Sequence, residues 1–372
     1  MSMQVPFLDL PAQHRALAPE LEAAFKETLS SCAFCSGPAV EAFEKEFASF
    51  IGSREAIGVN SGTSALHLAL LAAGIGPGDE VVTPAMTFLA TAAAIEYAGA
   101  KPVLADVEAD TYCLDATKVE SVLTDKTKAV IPVHLYGQPA DVPSLLPLAK
   151  QRNLTIIEDA AQAHGASLNG LPCGAMGDLA AFSFYPGKNL GACGEAGAVT
   201  TGDAEKARLI RSMRDWGQEG KGVHANPGFN HRMDGLQGAF LSIKLKRLHE
   251  WTDARIRIAG TYRELLADLQ EIQLPVLRPG ARHAHHIFAV LTPDRDRIAA
   301  RMKEAGVSCG VHYPVPIHLH PSTRHFGYAC GDFPNAEKLA EQELSLPLYP
   351  ELREEQVAHV ADALRNALRS SS

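Results

Sequence analysis

Positive charge is scarce along this chain of 372 residues: Lys and Arg total 34 against 43 Asp and Glu, a net charge of −9. No long basic run exists to neutralise a phosphate backbone, which argues against nucleic acid as the main partner. Missing too is any apolar run of the roughly 20 residues that a bilayer span needs, so no membrane partner is expected. Met1 to Leu10 lacks the basic and apolar regions of a secretory leader, and a cytoplasmic location is expected. The seven cysteines are odd in number and scattered, unlike a secreted disulfide framework. Cys32 and Cys35 have redox spacing but follow a helix-like segment. They read as small buried or half-buried side chains in preference to a thioredoxin-type pair. No internal repeat and no low-complexity segment is present.

What the chain has is an ordinary globular composition, 46% hydrophobic and 21% charged, with enough length for two domains. Short β-branched or apolar runs at Ala56–Asn60, Glu80–Thr83, Pro102–Val107, Ala129–His134, Leu154–Glu158, Leu179–Phe184 and Ala198–Thr201 read as strands. Helical patterns at Thr63–Ala73, Leu89–Ala98 and Val142–Gln151 lie between several of them. This alternation predicts an α/β fold with a mostly parallel sheet covered on both faces. A helix over Asp203–Trp216, a Gly-rich connection from Gly220 to Gly228 and one long helix from Asp234 to about Leu269 follow. Beyond Pro275 the pattern is an α+β lobe: strands at His286–Leu291 and Val307–Val311, a helix at Asp294–Ala305, and helices near Pro334 and Glu354.

In open parallel sheets, ligands bind beyond the carboxyl ends of the strands. Three segments there carry chemistry. Asn60-Ser61-Gly62-Thr63-Ser64 opens directly into an apolar helix, which reads either as a plain N-cap or as an anion site of free N–H groups and hydroxyls. The strand ending at Glu158-Asp159, followed by Gln162 and His164, delivers carboxylates that either cap the next turn or meet a cation. Phe182-Ser183-Phe184-Tyr185-Pro186-Gly187-Lys188 runs a strand into a Gly-lined loop with one lysine, which is either solvated or a desolvated imine former. The glycines at 74, 76 and 78 follow a helix and precede a strand, the wrong order for a dinucleotide fingerprint. Together the three segments match a phosphorylated pyridine aldehyde, which requires an anion pocket, a carboxylate at its ring nitrogen and a lysine for its carbonyl.

These segments, with Thr83-Pro84-Ala85-Met86-Thr87-Phe88 and Gly228-Phe229-Asn230-His231-Arg232, closely resemble the pyridoxal 5′-phosphate (PLP)-dependent sugar aminotransferases of the DegT/StrS family. The likeness runs collinearly from Phe7-Leu8-Asp9-Leu10 to Tyr313-Pro314 and Leu346-Pro347. It implies the aspartate aminotransferase-type (fold type I) architecture: residues 1–250 as an N-terminal segment and large domain with a seven-stranded sheet, residues 251–372 as a smaller α+β domain, and a homodimer sharing its active sites.

By the same resemblance, Lys188 bonds covalently to PLP, Asp159 pairs with the pyridinium nitrogen and Phe88 stacks on the ring. Gln162 lies near the phenolic oxygen. Gly62, Thr63, Ser64 and Ser183 hold the phosphate, with Asn230 reaching it from the neighbouring subunit. Met86 stands where relatives carry a histidine or another polar residue, leaving the ring-edge contact open. Arg232 reads as a fork for a carboxylate or diphosphate, or as a surface salt bridge. Tyr313 and His318 match the substrate-side loop. His318, His320 and His325 lack an acidic or thiolate partner at ligand spacing, so no metal is expected. The implied reaction passes an amino group from L-glutamate, by way of pyridoxamine phosphate, to a nucleotide-linked keto sugar at its third ring carbon. Amination of the fourth carbon or of a keto cyclitol, and a PLP-binding regulatory protein, are the alternatives. Lys188 argues against the related dehydratases, which carry histidine there.

Overall fold

The computed structural model describes residues 3–220 and 222–369, so Lys221 in the Gly-rich connection lies outside the described residues. Two helices come first, α1 (Leu10–Ser31) and α2 (Pro38–Ile51). Asp9 caps α1 through the Ala12 N–H, and Pro38 opens α2, where a missing N–H costs nothing. Cys32 and Cys35 are both free and exposed, against the expectation of burial; Cys32 is the left-handed residue that ends α1.

Seven strands follow: β1 (Glu55–Val59), β2 (Glu80–Pro84), β3 (Lys101–Ala105), β4 (Thr127–Val130), β5 (Thr155–Asp159), β6 (Leu179–Ser183) and β7 (Gly197–Thr201). They form one sheet in the order β1-β7-β6-β5-β4-β2-β3. β7 is antiparallel to both its neighbours and the remaining pairs are parallel. The connecting helices α3 (Gly62–Ala72), α4 (Ala90–Tyr97), α5 (Ala116–Val122), α6 (Val142–Arg152) and α7 (Ala204–Met213) belong to the covering layers. Strand residues are buried on both faces, which is why these runs are near-continuously apolar in place of alternating. The expected helix to Trp216 stops at Met213, because Trp216 turns left-handed (φ 58°) and pairs its N–H with the Phe229 carbonyl.

The single long helix expected from Asp234 is two, α8 (Gly235–Leu245) and α9 (Leu248–Leu265). Arg247 N–H folds back to Lys244 O at the break, and α9 continues into a second hydrophobic core. That core joins Ile258 and Tyr262 with β8 (Phe288–Leu291), β9 (Glu343–Leu346), α10 (Arg295–Glu304) and α12 (Glu354–Arg369); α11 (Pro334–Gln342) precedes β9. Val307–Val311 is not a strand but makes isolated bridges, Val5 to Val307 and Gly310 to Ser345. The place against β8 belongs to β9, a short mixed run that its sequence does not advertise. Among the described residues no helix is long and apolar enough to cross a membrane.

Candidate active site

The parallel run of the sheet sends the carboxyl ends of β1, β2, β5 and β6 to one edge, and Gly197 at the start of antiparallel β7 lies between the ends of β1 and β6. Ser61 follows β1 and caps α3: its Oγ accepts the Ser64 N–H at 3.0 Å, a contact worth about 1 kcal/mol, and donates to Ser64 Oγ at 2.9 Å. The N–H groups of Gly62 and Thr63 make no hydrogen bond among the described residues and remain at the positive end of α3. Ser183 closes the cradle. A Cβ on Gly62 would fall 2.6 Å from Ser183 Cβ, so only glycine fits there. Gly62→Ala is expected to force the cradle open at about 1–3 kcal/mol, a rise of roughly five- to 150-fold in the Kd of PLP; fluorescence titration of the apo-protein checks it.

Glu158 and Asp159 are neighbours on β5 and so face opposite ways. Glu158 turns inward, where it accepts His134 Nε2–H and the N–H groups of Gly174, Met176 and Gly177, all at 2.8 Å. Its role is to hold that loop. Asp159 faces the site edge, 5% exposed. Its oxygens accept from Thr91 Oγ1 at 2.8 Å and from the Ala161 N–H at 3.2 Å. Burial raises its pKa; Thr91, Ala161 and the Lys188 charge oppose the rise. Both carboxylates thus act as caps, Glu158 for the loop at residues 174–177 and Asp159 for the turn at Ala161.

Lys188 lies on the loop after β6, whose Tyr185 carbonyl accepts its N–H. Its amine carries no hydrogen bond among the described residues, and burial lowers its pKa to about 8, against the pull of Asp159. Below that pH the amine is protonated and inert; above it the lone pair is free. Covalent attachment of PLP to the apo-protein is therefore expected to accelerate about tenfold per unit up to pH 8 and then level off, which stopped-flow absorbance checks.

Gln162 Nε2 donates to the Tyr313 hydroxyl at 3.0 Å, while its Oε1 accepts the Tyr136 N–H at 2.5 Å. The Phe88 ring, 56% exposed, lies 5.4 Å from that of Tyr313. Thr91 Oγ1 also lies 3.2 Å from the Phe88 carbonyl, so Phe88, Thr91, Asp159, Gln162 and Tyr313 form one connected wall. Met86 is fully buried in the cluster of Val133, Leu135 and Ile287 and offers that wall packing only.

Asn230 and Arg232 line a cleft of about 590 Å³ with Cys35, Asn60, Ser61 and Gln237, beside the start of α3. Asn60 Nδ2 donates to the Asn230 carbonyl at 3.3 Å, and Arg232 is paired to Asp215 at 2.5 Å, both partners partly exposed. One expectation fails. His318 is not open to a substrate: its side chain is wholly buried, bonded to Glu337 at 2.9 Å and set edge-on to Phe333, because Pro316 and the short helical turn Ile317–Leu319 direct it into the core. Sequence reasoning missed Thr91, 68 residues before Asp159; its only signal was a polar residue one helical turn after Thr87 in an apolar helix.

A buried carboxylate, an amine whose pKa burial lowers to about 8 and a cradle of unpaired N–H groups at one sheet edge fit PLP. Comparison with known proteins agrees. The chain is 45% identical over 362 residues to the dTDP-3-amino-3,4,6-trideoxy-alpha-D-glucose transaminase of Streptomyces venezuelae, covering 97% of this chain and 96% of that one. It is 43% identical over 369 residues to a pleiotropic regulatory protein of Geobacillus stearothermophilus, covering 99% of each. Its structure superposes with a TM-score of 0.97 on the crystal structure of S. venezuelae DesV in complex with a ketimine intermediate, at 44% identity over 99% of this chain and 100% of that one. The family model matches residues 16–365, and the chain belongs to the DegT/DnrJ/EryC1/StrS aminotransferase family, whose members use PLP.

Proposed function

We propose that the protein transfers an amino group from L-glutamate to a nucleotide-linked keto sugar, at the third ring carbon. The observation that carries this reading is the end-to-end similarity to the S. venezuelae transaminase, which acts on a 3-amino sugar, together with Lys188 and Asp159 at one edge of the sheet. When bound, PLP supplies a ring that accepts the electron pair released as the donor's C–H bond breaks. Asp159, ionised against its burial by a cationic partner, holds the proton on the ring nitrogen. Lys188, once free of the cofactor, is neutral above about pH 8 and carries the proton between carbon centres. Gly62, Thr63, Ser64 and Ser183 take the phosphate, and Phe88 and Tyr313 close the ring off from water. Arg232 exchanges its Asp215 partner for a substrate carboxylate or diphosphate. Two copies of the chain assemble, with Asn230 of one reaching the phosphate of the other.

A panel of nucleotide keto sugars with glutamate tests the reading; a 3-keto sugar is expected to yield its 3-amino product. Reaction with a 4-keto sugar or a keto cyclitol alone would refute it and leave the transaminase chemistry intact. The name of the Geobacillus relative favours a second reading, a PLP-binding regulator. Glutamate separates the two, because a regulator would leave the visible band of the bound cofactor unchanged.

A further inference from the structure

Behind Tyr313 runs a chain of polar groups that the chemistry above does not use. His312 Nδ1 lies 2.8 Å from Ser345 Oγ, Ser345 donates to Glu343 Oε1, and Glu343 Oε2 accepts the His312 backbone N–H at 2.6 Å. Glu343 and Ser345, two residues apart on β9, share one face of the strand and are fully buried.

The hydroxyl has a single proton. A carboxylate only accepts, so Ser345 gives that proton to Glu343, and its lone pair must then accept from His312. Nδ1 therefore carries the ring hydrogen. Burial and the Lys188 charge hold the His312 pKa down to about 4, so the ring is neutral and Nε2 is a bare lone pair. No hydrogen bond is made by Nε2 among the described residues. The ring lies edge-on to that of Tyr313, centroids 5.6 Å apart, and Tyr313 accepts from Gln162 in the wall of the site; the face of the His312 ring is stacked on Phe7, also at 5.6 Å.

We propose that Ser345 and Glu343 are positioning residues that lock His312 in its Nδ1–H tautomer, so that Nε2 accepts a hydrogen bond from a hydroxyl of the incoming sugar. This rests on the sugar reading given above. The lock requires an ionised Glu343. Burial lifts that carboxyl to about 7, against the hydrogen bonds from Ser345 and the His312 N–H and the charge of Arg295. Tyr112, Tyr136, Tyr313 and Cys309 also face it, but burial and then nearby carboxylates push all four upward, so each is neutral and none competes with the relay.

Two measurements at pH 8 decide the matter. In holoenzyme labelled with ¹⁵N-histidine, the His312 signal, identified by its loss in His312→Gln, is expected to show hydrogen on Nδ1, and Ser345→Ala is expected to mix the tautomers. Hydrogen on Nε2 in the unaltered protein overturns the proposal. In steady-state kinetics, Ser345→Ala and Glu343→Gln are each expected to raise KM for the keto sugar about tenfold and to leave the glutamate half-reaction unchanged. On a His312→Gln background Ser345→Ala should add nothing; additive losses, or equal damage to both half-reactions, overturn the proposal. An enzyme that consumes glutamate but aminates no nucleotide sugar refutes the proposed function instead, and the labelled ring still decides the tautomer.

Discussion

Lys188→Ala is expected to lower turnover by on the order of 10⁴-fold or more, because in the proposed mechanism one side chain both tethers the cofactor and carries the proton. Two features of the fold prepare it. Burial brings the amine to about 8, within reach of neutrality, and no protein acceptor among the described residues occupies it. The contrast is Lys244, fully buried where Lys188 is partly exposed, whose amine donates to the Gly191 carbonyl at 2.7 Å and lies 3.0 Å from His14 Nε2. Its charge is engaged in holding α8 to the loop after Lys188, and it is not free to attack. Borohydride reduction and peptide mapping should therefore find the cofactor on Lys188 alone. Lys188→Arg should fare no better than alanine, since a guanidinium keeps its proton at any working pH. An adduct on Lys244, or an alanine variant retaining more than about one-tenth of turnover, would rule this assignment out.

The residues legible in the sequence are those whose chemistry is contiguous with a strand end. Asp159 ends β5, Ser183 ends β6 five residues before Lys188, and Ser61 follows β1, so each declares both its element and its edge. Partners supplied by another element are silent in one dimension. Thr91 meets Asp159 from α4, Tyr136 meets Gln162 through a backbone N–H, and Ser345 meets His312 from a strand that no hydrophobic alternation announced. His318 misleads for the same reason: a histidine in a Pro-rich loop reads as a ligand until Glu337 and Phe333, brought up by α11 and the loop before it, are seen to enclose it. The break between α8 and α9 is likewise invisible, since neither proline nor glycine marks it and its cause is the divergence of two cores.

Asp159→Ala is expected to reduce turnover on the order of 10³-fold while Lys188 still bonds to PLP, so that chemistry is lost well before cofactor retention. The proposed phosphate cradle at Gly62, Thr63 and Ser183 and the proposed bond at Lys188 follow other strands and are expected to survive the change. What disappears is the negative charge that, in the proposed mechanism, would keep the ring nitrogen protonated. Asp159→Asn isolates that charge: an amide oxygen still accepts from Thr91 and the shape is kept, yet turnover should fall nearly as far. Thr91→Val works in the same direction on the same group, by a smaller step. Removing its 2.8 Å hydrogen bond raises the Asp159 pKa further, so the loss should be partial and greater at low pH, where the carboxylate is more readily protonated. Steady-state kinetics with glutamate, beside the absorbance of bound PLP, separates the cases. Asp159→Asn at unaltered turnover would show that the carboxylate matters only as the cap of Ala161. Loss of PLP in step with activity would show that it anchors the cofactor and does not tune it.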